Sequence, residues 1–180
     1  MKVNLLYLLP LLIAMISCGN EEKNASKIIE QPPVPEEILE NLEPELYCYL
    51  FSNGKDSIRL RYVREGNEVE GWMNYDFFEK DGSIGEVEGS YHADTLKIVY
   101  DFLAEGAISK QQIFFLEKDG KLIRGSGEQE LTKDSVWIYK NPKKVAFEDS
   151  TPMKQLEICP DNLINPKDID FYNKEKDKRN

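Results

Sequence analysis

From Leu46 to Tyr139 apolar and polar residues alternate in short runs, most of them ending at Gly, Asn or Asp. A rhythm of two commits each run to a strand with one face turned inward. The runs read as eight strands: Leu46–Ser52, Ser57–Arg64, Val69–Phe78, Ile84–Tyr91, Leu96–Phe102, Gln111–Glu117, Leu122–Gln129 and Val136–Tyr139. The breakers between them include Asn53-Gly54, Gly66-Asn67, Asp81-Gly82 and Asp119-Gly120. Such pairs supply the positive φ angles that tight hairpins need.

Strands joined by hairpins leave free edges unless the sheet closes on itself. The expectation is an all-β, eight-stranded antiparallel up-and-down barrel with a short C-terminal helix; a two-sheet sandwich is the alternative. An eight-stranded barrel is either filled by its own side chains or holds one small ligand. Glycines at alternate positions, Gly85 with Gly89 and Gly125 with Gly127, read as bends or close packing of a neighbouring segment rather than as space for a ligand.

The ends of the chain differ from this middle. Thr151-Pro152 looks like a helix cap with proline at the first position, giving a short helix to about Ile158. Cys159-Pro160 ends it, and residues 161–180 read as a charged, partly disordered tail. At the other end Lys2 precedes an apolar run from Val3 to Ile16 and then Ser17-Cys18-Gly19-Asn20. That layout is a signal peptide over 1–17, too short and too broken by Pro10 to span a membrane. Met15-Ile16-Ser17-Cys18 resembles a lipobox, which implies lipidation of Cys18 and cleavage before it. Residues 18–44, with Pro32-Pro33-Val34-Pro35, read as a lipid-anchored tether. The domain then spans 45–160. The localisation expected is the cell envelope, anchored at the outer membrane.

With Cys18 lipidated, Cys48 and Cys159 remain in a compartment that permits disulfides. Pairing them encloses most of the domain. The chain-entropy account gives about 4–5 kcal/mol for a loop near 100 residues.

The chemistry is sparse. Net charge is −10 with 33 acidic and 23 basic residues, which argues against nucleic acid as a partner. His92 is the single histidine and sits at a strand end. No Cys/His spacing fits a metal, and no nucleophile–base or paired-carboxylate arrangement stands out. The expectation is a protein that is not an enzyme and uses no cofactor. Asp56-Ser57-Ile58, Asp94-Thr95-Leu96 and Asp134-Ser135-Val136 resemble a bacterial O-glycosylation acceptor, but each also fits a turn leading into a strand. Trp72, Phe78 and Trp137 would mark a contact surface if exposed together.

From Tyr47 to about Glu130 the chain resembles a group of small, uncharacterised bacterial lipoproteins with one calycin-like or lipocalin-like β-domain. The residues that carry this are Cys48-Tyr49, Gly71 to Tyr75, Glu79-Lys80-Asp81, Gly85, Gly89, Asp94-Thr95-Leu96, Tyr100, Phe102 and Glu105-Gly106. The glycine–residue–tryptophan motif of true lipocalins is absent from the first strand. The resemblance implies the fold and brings no activity with it; the anchor, the tether and the aromatics Trp72, Phe78 and Trp137 set the expectation of a membrane-anchored, non-enzymatic binding module of the envelope, its partner a small apolar ligand, a glycan or an envelope protein. A periplasmic protein inhibitor of the lysozyme-inhibitor kind and a structural component of an envelope complex are the alternatives.

Overall fold

The computed structural model describes residues 43–148 and 150–179. The stretches read as signal peptide, as the Cys18 lipidation site and, as far as residue 42, as tether lie outside the described residues.

Six long strands form an antiparallel meander: β1 Glu45–Ser52, β2 Ser57–Glu65, β3 Glu68–Asp76, β4 Ser83–His92, β5 Thr95–Ala104 and β6 Ala107–Lys118. The hairpin β5–β6 turns on Glu105-Gly106, and Asp119-Gly120 leads into β7, Lys121–Arg124. All four turn residues hold positive φ, as a two-residue type I′ turn demands.

The chain then leaves the barrel wall. β8 (Gln129–Leu131) and β9 (Val136–Tyr139) make a small hairpin, with β9 running parallel to the first half of β6. After a 3-10 turn at Pro142–Lys144 the chain returns as β10, Met153–Gln155. This three-residue strand fits between β7 and β1 and closes the ring β1-β2-β3-β4-β5-β6-β7-β10. The barrel is eight-stranded and antiparallel, as the alternation implies, but three assignments change: the seventh strand, read as Leu122–Gln129, ends at Arg124. Val136–Tyr139 belongs to the outlying hairpin, and the eighth wall strand lies in the stretch read as a helix. Three residues are too few for periodicity to show. Met153 alone points inward, fully buried against the core.

The helix is further along. α1, Pro166–Asp177, occupies most of the stretch read as a partly disordered tail. Its start is built as helix starts are: the Asn165 side chain accepts from the Lys167 N–H, Pro166 stands in the first turn and Asp168 faces the positive end of the helix dipole. Charged residues dominate its composition, yet Ile169 and Tyr172 lie one turn apart and dock on the outer face of the barrel with Ile164, Trp72, Ile84, Ile108 and Leu103. That second small core is what a composition-based reading of residues 161–180 overlooks.

Inside the barrel, Tyr49, Leu60, Tyr62, Met73, Leu96, Ile98, Tyr100, Ile113, Phe115 and Leu122 meet with Met153 in one packed core. The glycines answer to close strand approach. A Cβ on Gly85 would stand 2.0 Å from the Asp101 carbonyl oxygen and 2.5 Å from Phe102 Cα. At Gly125 it would meet the Val145 side chain at 2.4 Å, because the segment after β9 folds back across it.

Candidate functional site

The interior is spoken for at both ends. At the end where β2 turns into β3 and β4 into β5, the Arg64 guanidinium sits 4.9 Å from the ring centres of both Tyr47 and Tyr91. It also pairs with Glu45 at 3.3 Å. Tyr91 donates to the Glu117 carboxylate at 2.7 Å. Beneath this cap Tyr49 and Tyr62 stack with their ring centres 6.1 Å apart. Burial, reinforced by the Glu117 charge, pushes both phenols far above their usual range. Burial does the same to Tyr91, helped by its hydrogen bond to Glu117. These phenols stay protonated, Tyr91 hydrogen-bonded and the Tyr49 and Tyr62 hydroxyls without a partner among the described residues.

At the opposite end Tyr100 donates to the Met73 carbonyl at 3.1 Å and meets Ser83 Oγ at 3.0 Å, while its ring stacks on Phe102. Arg124 lies 5.8 Å from the Tyr75 ring centre. Gln111 of β6 donates to the Gln129 side chain of β8 at 2.7 Å, and Tyr139 of β9 donates to the Gly125 carbonyl at 2.8 Å. Large side chains pack along the interior, and among them the Tyr49 and Tyr62 hydroxyls are buried without a hydrogen-bond partner among the described residues.

The outer face is different. Along β2, β3 and β4 the outward residues form two rows: Arg61, Trp72 and Glu86 in register, and Val63, Glu70 and Glu88 beside them. They border a groove of about 360 Å³. Gly71 helps to form it, since a Cβ there would stand 2.1 Å from the Arg61 carbonyl oxygen and force β3 away from β2. One edge of the groove is fastened by α1. The Trp72 indole meets Tyr172 of α1 edge to face at 5.5 Å, and Lys176 of the same helix pairs with Glu86 and, at 3.8 Å, with Asp101. The hydrogen bond from Lys176 to Glu86 holds that ammonium strongly protonated. The Arg61 Nε–H is buried and has no hydrogen-bond partner among the described residues.

The residues singled out in the sequence are placed as follows. Cys48 and Cys159 form a disulfide with their Cα atoms 5.5 Å apart. His92 is exposed at the end of β4, opposite Thr95. Among the described residues no group of three His, Cys, Asp or Glu side chains is arranged for a metal ion. The three Asp-Ser/Thr tripeptides diverge: Ser57 is 7% exposed, Thr95 is half-buried at the start of β5, and Ser135 is exposed in the β8–β9 turn. Asp56 does turn work, its carboxyl held below the usual range by the Asn53 side chain and the Phe78 N–H. The three aromatics do not share one surface: Trp72 is half-buried beside α1 and borders the groove, while Phe78 is 56% and Trp137 45% exposed on other elements. Arg61, Glu70 and Glu88 had only one signal in the sequence, their place on the polar side of alternating strands, and that side ordinarily faces solvent.

No known protein family, curated protein or solved structure matches this chain.

Proposed function

We propose that the protein is a lipid-anchored lipoprotein of the bacterial envelope whose barrel is a non-enzymatic binding module, and that it engages its partner through the outer wall. The observation that carries the second half of this reading is the interior itself. Its centre is occupied by tyrosine, leucine, isoleucine, methionine and phenylalanine side chains, with Tyr91 bonded to Glu117 at one end and Tyr100 bonded to Met73 and Ser83 at the other. The outer wall supplies grooves with a mixture of aromatic and polar groups, and ligand sites are concave surfaces of that kind. The anchor rests on the Met15–Cys18 motif, and the outer membrane is the placement proposed with it.

Two measurements test the reading. A Cys18→Ser variant is expected to accumulate as unlipidated precursor; normal processing with membrane retention would remove the anchor from the account. Native mass spectrometry of the protein from its own envelope is expected to give the mass of the chain and its lipid. An apolar molecule that stays bound until denaturation would overturn binding through the outer wall.

A further inference from the structure

We infer that the groove over β2, β3 and β4 is a saccharide-binding site, with Trp72 as the stacking surface, Arg61 as donor and Glu70 and Glu88 as acceptors. The inference deepens the binding-module reading and rests on it, but it does not depend on the lipid anchor.

The dimensions fit. Three adjacent strands span about 10 Å, and alternate residues along a strand are about 7 Å apart. A patch of that size, in a groove of about 360 Å³, matches the footprint of a disaccharide rather than a large apolar ligand.

The chemistry narrows the class further. A simple anion would meet Glu70, Glu86 and Glu88. A simple cation would meet Arg61, whose charge is permanent. A lipid chain would leave these charged groups desolvated and unpaired, which is costly. A neutral sugar avoids all three penalties. Its hydroxyls accept from a guanidinium and donate to a carboxylate at neighbouring positions, and its axial C–H groups give it an apolar face for an aromatic ring.

The site is prepared in advance. Glu86 is engaged by Lys176, which leaves Glu70 and Glu88 with no ion pair among the described residues and free to accept from a ligand. The edge-to-face contact with Tyr172 fixes the indole, so little ordering remains for a ligand to impose. The buried Arg61 Nε–H is a donor whose partner the fold does not supply. Helix α1, on the same outer face, acts here as a positioning element beside the ring.

The chain has two tryptophans, so a Trp137→Phe background leaves Trp72 as the sole emitter. The test uses the whole protein, purified in a sugar-free detergent, titrated with glucose, galactose, mannose, N-acetylglucosamine, cellobiose and chitobiose. At least one of these is expected to shift Trp72 emission saturably. Arg61→Gln is expected to weaken that binding at least tenfold. Glu88→Gln, on an exposed position, is expected to weaken it several-fold with an unchanged melting temperature. A panel in which no sugar moves Trp72 emission would overturn the inference while leaving the anchor and the native-mass results standing. Equal binding by the folded Glu88→Gln variant and by Arg61→Gln would overturn it as well.

Discussion

The barrel has a wall and a seam, and they are built on different principles. The wall, β1 to β6, pairs its neighbours over eight to ten residues per strand pair. The seam is β10, held to β1 through two residue pairs and to β7 through two more. The wall is held by its own ladder and by the core behind it. The seam has little ladder, and what fastens it is covalent. Cys159 lies just beyond β10 and is bonded to Cys48 in the middle of β1, across a separation of 111 residues. A fold can thus place its least cooperative strand at the point of closure, provided a cross-link limits how far that strand can stray. The groove assigned to ligand binding lies on the wall, where rigid strands fix side chains most accurately.

The largest expected effect comes from breaking the seam. The paired substitution Cys48→Ser with Cys159→Ser should cost about 4–5 kcal/mol on the chain-entropy account. Urea unfolding with and without reductant checks it; an unchanged midpoint would mean that β10 closes the barrel unaided. A smaller effect is expected from the wall. Gly85→Ala drives a Cβ into the backbone of β5 and should cost about 1–3 kcal/mol or somewhat more, as overpacking does. Gly127→Ala, in the loop after β7, whose Cβ would meet only side-chain atoms, of Tyr139 at 3.3 Å and Val145 at 3.7 Å, should cost less. Thermal melts of the two variants give the comparison.

The smallest effect is set by pH. Burial raises the phenol pKa of Tyr49, Tyr62 and Tyr100 in the folded state. Their contribution is complete below the unfolded phenol value of about 10. It is lost as pH climbs from there toward the folded values, because only the unfolded chain releases those protons. Phenolate absorbance should therefore rise in two stages on alkaline titration, the second coinciding with unfolding. A single smooth rise in a folded protein would contradict the burial of these rings.

The same division explains what the sequence discloses. Alternation in Ser57–Arg64 and Leu96–Phe102, with turn residues between runs, is a repeated signal, so the wall and its closed form are legible. The seam is not. Met153–Gln155 carries one inward residue, and Thr151-Pro152 imitates a helix start. Asn165-Pro166 is the cap actually used, hidden in a charged segment whose buried stripe is little more than Ile169 and Tyr172. The disulfide was readable because, with Cys18 set aside as a lipidation site by its motif, only Cys48 and Cys159 remain to pair. The groove was not, because an arginine and two glutamates on the polar side of strands look like any solvated face. What sets them apart is a helix more than 70 residues away in sequence, packed beside Trp72.

Hydrogen exchange on the protein before and after reduction tests the division most directly. The account predicts that reduction sharply accelerates exchange in β10, β7 and α1, while the amides of β2 to β5 keep most of their protection. Uniform loss of protection across all eight strands, or no change at β10, would contradict it.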